Sequence, residues 1–224
     1  MKASEIALDL FATEESGAVR QAAPVLPNGA AYLQGFALAD EHVLLEALTT
    51  VVSAAGFRHM VTPGGHVMSV AMTNCGDRGW FTDRRGYRYT THDPDSGNPW
   101  PAMPDVFRTL AERAAAASGY SSFLPDACLV NRYEPGARMS LHQDHNERDM
   151  TSPIVSVSLG LPATFQFGGL ARTDPVQRVR LAHGDVVVWG GAARLAYHGV
   201  LALKDGVHAA MGRARINLTF RRAG

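Results

Sequence analysis

The sequence predicts a mainly β protein with flanking helices, of the sandwich or jelly-roll class. Short segments in which apolar and polar residues alternate recur along the chain, separated by Gly and Pro, as in half-buried strands. Two segments have helical features and are expected to pack outside the sheets. Hydrophobic residues make up 46% of the 224 residues and charged residues 19%, which allows one sizeable core.

The chain begins with a segment that predicts little structure. Residues 1–28 are rich in Ala and Glu and end near Pro24 and Pro27, so we expect a weakly structured lead-in. The N-terminus lacks the basic region followed by an apolar stretch that is typical of a secretory signal. No stretch of the sequence approaches the ~20 apolar residues of a membrane span. Cys75 and Cys128 are expected to be reduced thiols. These features predict a cytoplasmic protein without a membrane segment.

Two helices are predicted from their end signals. The first spans residues 40–55, where Asp40 can cap the start and Gly56 can end the helix. The second runs from Pro104, which suits a first helical turn, to a stop at Gly119.

Strands are predicted at residues 68–72, 154–159, 163–167, 185–189 and 215–221. The last strand has two distinct faces. Ile216, Leu218 and Phe220 share the apolar face, and the polar face holds Arg215, Asn217, Thr219 and Arg221.

A candidate metal site follows the turn at residues 133–138. In an extended backbone, the side chains of His142 and Asp144 point the same way and can face one ion. A third ligand from a distant strand would complete a two-His, one-carboxylate face, which leaves open positions on Fe(II). The pairs His145/Glu147 and His183/Asp185 have the same spacing. We interpret the first as a solvated loop and the second as a turn into a strand.

The two arginines of the last predicted strand can hold a small dicarboxylate. Their Cα atoms would lie roughly 20 Å apart, which leaves about 6 to 8 Å between guanidinium groups that reach inward. That span suits 2-oxoglutarate, and Arg binds carboxylate in a bidentate manner. The alternative is an edge strand that exposes Arg215 and Arg221 to solvent.

Seven stretches together resemble the AlkB family of Fe(II)- and 2-oxoglutarate-dependent dioxygenases, which repair alkylated nucleic acids, and are most similar to its bacterial members. They are MVTPGG (60–65), MSVAMTNCG (68–76), PDACLVNRY (125–133), SLHQD (140–144), VSVSLG (155–160), HGDVVVWGG (183–191) and RINLTFR (215–221). The resemblance implies a double-stranded β-helix, or jelly roll, with an N-terminal nucleotide-recognition lid. It implies one domain over residues 29–222, with the lid at about 60–92.

The resemblance also implies which residues form the site. It makes His142, Asp144 and His198 the iron ligands, with Arg221 beside them. It assigns 2-oxoglutarate contacts to Asn131, Tyr133, Arg215, Asn217 and Arg221. It places on the substrate side Trp80, Tyr87, Arg88, Tyr89, Asn146 and Arg172.

The predicted lid interleaves Arg with aromatic residues. Residues 77–89 hold four Arg against two Asp, a net charge of +2 inside a chain whose formal net charge is zero. Aromatic faces stack on unpaired bases and Arg follows phosphate, as in proteins that bind single-stranded nucleic acid. A surface hairpin with structural aromatic residues is the alternative. The zero net charge excludes a polybasic protein that holds long duplexes by charge alone.

The implied reaction is the oxidative demethylation of bases such as 1-methyladenine and 3-methylcytosine, with Fe(II), 2-oxoglutarate and O2, and with release of formaldehyde. The substrate would be single-stranded or locally opened DNA, with RNA left open, and the protein a monomer. His66, His145 and Asn146 differ from the residues that the family has near the substrate. The departure that matters is Asn146, where the family usually has an acid. An amide carries no charge that would favour a cationic base.

Other functions remain open at this point. A cupin-like metal protein would keep His142, Asp144 and His198 without needing both Arg215 and Arg221. A 2-oxoglutarate dioxygenase acting on RNA, protein or lipid is a second alternative. A Ser-His-Asp hydrolase is disfavoured because the chain lacks a Gly-x-Ser-x-Gly turn.

Overall fold

The computed structural model describes Pro24 and residues 26–224. Most of the predicted lead-in over residues 1–28 therefore lies outside the described residues. The strands are β1 (Ala30–Leu33), β2 (Arg58–Val61), β3 (Val67–Gly76), β4 (Gly79–Asp83), β5 (Gly86–Thr90), β6 (Ala127–Tyr133), β7 (Met139–His142), β8 (Ile154–Gly160), β9 (Ala163–Phe167), β10 (Gln177–Leu181), β11 (Val186–Trp189), β12 (His198–Val200) and β13 (Arg215–Arg221). The helices are α1 (Glu41–Ala54) and α2 (Asp105–Ala117).

The strands form two larger antiparallel sheets and one hairpin. The major sheet has the order β1-β11-β8-β13-β6-β3-β2, and the minor sheet the order β10-β9-β12-β7. Strands β4 and β5 form a separate two-stranded sheet. The mainly β jelly-roll fold with flanking helices that the sequence predicted is confirmed.

Both faces of the major sheet are covered, and alternation along its strands explains why. Ile216, Leu218 and Phe220 of β13 belong to one apolar core with buried residues of α1 and α2, and the ring of Phe107 packs edge-on against Phe220 at 6.1 Å. A second core includes apolar residues of the major-sheet strands β3, β6 and β11 and of the minor-sheet strands β9 and β12, among them Trp189. The polar face of β13 lies on this second side, and its residues are nevertheless buried.

The structure corrects the alternative in which β13 is a solvated edge strand. β13 pairs with β6 on one side and β8 on the other, so it lies in the interior of the major sheet. Every residue from Arg215 to Arg221 is buried. Two guanidinium groups placed inside a protein need anionic or polar partners, and this makes the polar face of β13 a candidate binding surface.

Both helices form where predicted, but the start of α1 differs in detail. Asp40 makes no capping hydrogen bond, and its carboxylate accepts a hydrogen bond from Arg113 of α2 at 2.9 Å. α2 begins after Pro104 and ends before Gly119, whose φ of +89° suits glycine. No helix among the described residues is long and apolar enough to cross a membrane.

The segment predicted as a lid is only partly separate from the major sheet. β2 pairs with β3, and the second half of β3 pairs with β6, so both strands belong to the sheet. The β4–β5 hairpin is the separate part and carries Trp80, Tyr87 and Tyr89.

Candidate metal and co-substrate site

Three predicted metal ligands come together at one end of the minor sheet. Ligand atoms of His142, Asp144 and His198 all lie within 4.8 Å of one another. The Nε2 atom of His142 lies 3.5 Å from Asp144 Oδ1, and the Nε2 atom of His198 lies 3.7 Å from Asp144 Oδ2. One carboxylate and two imidazoles therefore face a common point, and other ligands can complete the coordination.

Strand pairing explains how a histidine so far along the chain reaches the other two ligands. β7 and β12 are antiparallel neighbours, and His198 lies directly opposite His142, with ring centroids 4.4 Å apart. Gly199 allows this close approach, because a Cβ atom there would lie 2.7 Å from the carbonyl oxygen of Met139. Asp144 follows the end of β7 by two residues.

Both histidines are oriented for ligation through Nε2. The Nδ1 atom of His142 bonds to the carbonyl oxygen of Ser140 at 2.8 Å, and that of His198 to the carbonyl oxygen of Ala196 at 3.0 Å. Since carbonyls only accept, Nδ1 carries the proton in each ring and Nε2 is free to bind a metal. Burial, together with the neighbouring His142, lowers the pKa of His198 to about 4, which keeps that ring neutral at pH 7.

Asp144 and Arg221 form a buried pair beside the ligand cluster. Nη2 and Nε of Arg221 donate to Asp144 Oδ2 at 2.6 and 2.9 Å. Burial alone would raise the pKa of Asp144, but the charge of Arg221, with His198 and His142 nearby, holds that pKa below its usual value. Asp144 is therefore an anionic ligand, and Arg221 stands next to the metal end of the site.

Arg215, at the other end of β13, is buried without an anionic partner among the described residues. Its side chain lies over the ring of Tyr133 at 5.0 Å, and its Nη2 atom donates to Ser158 Oγ at 2.9 Å. Nε and Nη1 are buried and have no hydrogen-bond partner. Burial lowers the pKa of Arg215, but a guanidinium remains charged at neutral pH. Two free donors on a buried cation fit a bound carboxylate.

A hydrogen-bonded polar row lies between the two arginines on the same face of β13. Asn217 Nδ2 donates to Ser156 Oγ at 2.8 Å, and Thr219 Oγ1 donates to Asn217 Oδ1 at 2.8 Å. Asn131 of the neighbouring strand is buried, and its Oδ1 atom is unpaired. These side chains line an inner cavity of about 50 Å³ together with His142, His198 and Arg221. Four of the five predicted co-substrate residues thus face one space beside the ligand cluster, namely Asn131, Tyr133, Asn217 and Arg221. The fifth, Arg215, lies behind this lining and packs over the ring of Tyr133.

The residues of this site fit Fe(II) and 2-oxoglutarate. Two neutral imidazoles and a carboxylate form the donor set of non-haem iron oxygenases. The unpaired donors of Arg215 provide a site for the distal carboxylate of a small keto acid, and the cupin-like alternative would leave that buried cation unexplained.

An outer cavity of about 660 Å³ opens onto the ligand cluster from the side of the β4–β5 hairpin. Four of the predicted substrate residues line it, namely Trp80, Tyr87, Asn146 and Arg172. The rings of Trp80 and Tyr87 stack with centroids 5.7 Å apart, and Arg172 lies over the ring of Tyr197 at 5.2 Å. An aromatic pair above an opening to a metal site suits a flat, unpaired base.

The structure places the other two predicted substrate residues elsewhere. Arg88 lies on the opposite face of β5 from Tyr87 and Tyr89, because side chains alternate along a strand. Its guanidinium makes two hydrogen bonds to Asp83, both at 2.8 Å, and lies over Phe81. Tyr89 Oη donates a hydrogen bond to Glu147 Oε1 at 2.6 Å, so its hydroxyl is engaged within the protein.

The interpretation of His145/Glu147 as a solvated loop is wrong for Glu147. His145 is exposed, but the side chain of Glu147 is 2% exposed and bonds to Arg194 at 3.1 Å. Arg221 Nε lies 3.3 Å from the same carboxylate, and Arg194 Nη1 donates to the backbone oxygen of Asp144 at 2.8 Å. Glu147 and Arg194 thus support the ligand cluster. Nothing local in the sequence predicts them, because they are 47 residues apart.

The pair His183/Asp185, which the sequence predicted to be a turn into a strand, makes structural hydrogen bonds. Asp185 accepts hydrogen bonds from Tyr32 Oη at 2.7 Å and from the amides of Gly35 and Ala182. His183 Nδ1 accepts a hydrogen bond from the amide of Gly160 at 2.8 Å.

We expect Glu147→Ala to lower the free energy of unfolding by about 3–5 kcal/mol, since it leaves the charge of buried Arg194 without its partner. Glu134→Ala is the matched control, because the Arg132–Glu134 pair is 42% and 63% exposed and should contribute at most about 1 kcal/mol. Urea unfolding of both variants measures the difference. Equal stabilities would contradict the structural role of Glu147.

Comparison with known proteins gives the same class of protein. The model of the 2OG-Fe(II) oxygenase superfamily matches residues 29–221. The chain is 57% identical over 217 residues to the alpha-ketoglutarate-dependent dioxygenase AlkB of Escherichia coli (strain K12), covering 97% of this chain and 98% of that protein. It is 32% identical over 122 residues to the tRNA demethylase abh1 of Schizosaccharomyces pombe (strain 972 / ATCC 24843), which covers 54% of this chain and 40% of that protein. The solved structure of OsALKBH1 superposes with a TM-score of 0.77 at 29% identity, covering 89% of this chain and 99% of that chain.

The jelly roll, the two-His, one-carboxylate cluster and the buried arginine define an oxygenase that uses Fe(II), 2-oxoglutarate and O2. Within this class, the chain belongs to the AlkB family of dioxygenases.

Proposed function

We propose that the protein oxidatively demethylates N-alkylated bases, such as 1-methyladenine and 3-methylcytosine, in single-stranded or locally opened DNA. One observation carries the proposal: the cavity under the Trp80–Tyr87 stack leads to His142 and Asp144. The AlkB family resemblance supports an alkylated nucleic acid as the substrate.

His142, Asp144 and His198 would hold Fe(II), and Arg215 and Arg221 would hold 2-oxoglutarate. Arg221 already bonds to Asp144, so it would meet the carboxylate at the metal end. Arg215 has free donors at the far end of the polar row and would bind the distal carboxylate. This orientation follows from charge, because an uncompensated buried cation favours the dianion strongly.

Bound Fe(II) would supply the chemistry that activates O2 against 2-oxoglutarate. In balance, one oxygen atom of O2 enters succinate as CO2 leaves, and the other enters a methyl C–H bond of the base. The resulting N–CH2OH group loses its hydroxyl proton and breaks its N–C bond. The bonding pair stays on the ring nitrogen, so the cationic base becomes neutral, and formaldehyde leaves.

The outer residues would hold the base and its strand. A base must leave the stack to reach the ligand cluster, and unpaired strands need the least opening energy. Trp80 and Tyr87 provide faces for stacking, and Arg172 lies at the cavity where phosphate can approach. We propose that the protein acts as a monomer in the cytoplasm, and that residues 29–222 form its one catalytic domain.

RNA is the second candidate substrate, and the name of the Schizosaccharomyces pombe relative favours it. The cavity residues named above would meet base faces and phosphate charge, which DNA and RNA share.

The test supplies Fe(II), 2-oxoglutarate and oligonucleotides that carry one 3-methylcytosine, in single-stranded DNA, duplex DNA and RNA. We expect formaldehyde and succinate in equal amounts from the single strand, and a slower reaction with the duplex. Succinate without formaldehyde from every oligonucleotide would contradict the proposal. A faster reaction with RNA would select the second candidate.

A further inference from the structure

We propose that the outward face of the minor sheet binds the phosphates of the nucleic-acid strand beyond the methylated base. This face, which we call the β9–β10 face, consists of Gln166 and Thr164 of β9 and Arg178 and Arg180 of β10. The inference rests on the proposed demethylation and adds a second binding surface outside the outer cavity. It explains how a chain with a formal net charge of zero holds a strand through local charge.

Alternation along β9 and β10 separates this face from the inner cavity. The alternate residues of both strands are apolar and belong to the second core, so the residues between them point outward. Arg178 lies opposite Gln166, and Arg180 lies opposite Thr164. Both arginines are exposed. The four side chains therefore form one continuous outward surface.

The charge of the β9–β10 face is the first support. Neither Arg178 nor Arg180 forms a salt bridge or a side-chain hydrogen bond with the described residues. The exposed Arg113 and Arg213, by contrast, each pair with an aspartate at 2.9 Å. No acidic residue lies within β9 or β10. Two guanidinium groups without anionic partners on one face suit phosphate, which Arg binds in a bidentate manner.

The spacing of the two arginines is the second support. Residues two apart on a strand lie about 6.6 Å apart, which is close to the length of one nucleotide in an extended single strand. The amide of Gln166 and the hydroxyl of Thr164 make no side-chain hydrogen bond with the described residues, and such groups bond to phosphate and sugar oxygens. Contacts of this kind position a strand and carry no base preference.

The connection between β9 and β10 joins this face to the outer cavity. Its Arg172 lines the cavity. Phe167, at the end of β9, lies opposite both His198 and Gln177, so the start of β10 is two strands, or roughly 10 Å, from a predicted metal ligand. Arg178 is the next residue of β10. A strand whose methylated base enters the cavity can therefore pass Arg172 and reach Arg178 within a few nucleotides.

The test compares a long and a short substrate in Arg178→Gln/Arg180→Gln. Single-stranded DNA of about 16 nucleotides with a central 3-methylcytosine spans both surfaces, whereas a trinucleotide fills only the cavity. Fluorescence anisotropy with Fe(II) and 2-oxoglutarate but without O2 measures the Kd of the long strand, because the base is then not consumed.

We expect that Kd to rise about fivefold or more at low salt in the double variant. The slope of log Kd against log salt concentration should fall by about 1.4, because each phosphate contact of a single strand contributes about 0.7. The kcat/KM for demethylation of the trinucleotide should stay within about twofold of the wild-type value, because the trinucleotide does not reach β10.

Two matched variants separate the position of the charges from their number. Arg113→Gln/Arg213→Gln removes two positive charges from α2 and from the segment before β13, where both side chains are 48% and 65% exposed. This variant should keep the wild-type slope. Arg178→Lys/Arg180→Lys retains both charges on the β9–β10 face and should also keep the slope, since counterion release depends on charge.

An unchanged slope in Arg178→Gln/Arg180→Gln, or an equal fall in Arg113→Gln/Arg213→Gln, overturns the inference. An unchanged slope is also the result expected if the face binds an acidic protein, or if its charges only keep the edge strand β10 from pairing with another chain. Absence of demethylation by the wild-type protein on every oligonucleotide would instead contradict the proposed function. The two failures are therefore distinguishable.

Discussion

Asp144→Ala is expected to lose Fe(II) binding and to lower formaldehyde release by more than about a hundredfold, since even groups behind metal ligands contribute 10- to 100-fold. The carboxylate is the one anionic ligand of the cluster, and it faces both imidazoles within 4 Å. Its loss leaves two neutral rings, which bind Fe(II) weakly. Equilibrium binding of Fe(II) and formaldehyde release measure the two effects separately.

The variant keeps a partner for its buried arginine. Glu147 lies 3.3 Å from Arg221 Nε, so Arg221 is not left without an anion, and we expect the fold to survive. Asp205→Ala is the control, because its carboxylate pairs with Arg213 on the surface, where both side chains are more than 60% exposed. Full product from Asp144→Ala would refute the assignment of the metal site.

Arg215→Lys is expected to raise KM for 2-oxoglutarate about 10- to 100-fold, with a smaller change in kcat at saturation. Lys keeps the charge but loses the planar pair of donors, and it cannot stack on Tyr133 as Arg215 does. The KM for the oligonucleotide should stay within about twofold, because Arg215 is absent from the lining of the outer cavity.

A matched substitution lies two residues away. Arg213 is 65% exposed and pairs with Asp205, so Arg213→Lys should leave both KM values unchanged. Steady-state kinetics with varied 2-oxoglutarate distinguish the two variants. An unchanged KM for 2-oxoglutarate in Arg215→Lys, or a raised KM for the oligonucleotide alone, would show that a residue other than Arg215 binds the distal carboxylate.

Local patterns predicted the strand that carries the clamp but not its place in the sheet. The alternation of β13 correctly separated Ile216, Leu218 and Phe220 from the polar face. It did not distinguish an edge strand from an interior one, because the neighbours β6 and β8 are distant in sequence. Burial of Arg215 depends on that tertiary pairing.

The burial of charged residues beside the site likewise depends on tertiary contacts that local patterns do not predict. Glu147 has the local features of a solvated loop, and only its contacts with Arg194, Arg221 and Tyr89 bury it. The place of Arg88 could have been predicted from the sequence. It lies between Tyr87 and Tyr89 on β5, so alternation along the strand puts its side chain on the face opposite to theirs. His198 could be named only through family resemblance, since the register between β7 and β12 is not evident from spacing.

The most direct test measures the mass of a methylated single-stranded oligonucleotide before and after incubation with the protein. We expect the oligonucleotide to lose one CH2 unit only when Fe(II), 2-oxoglutarate and O2 are all present, and not with Asp144→Ala. An unchanged mass with the wild-type protein for 1-methylguanine, 1-methyladenine and 3-methylcytosine alike would contradict the account.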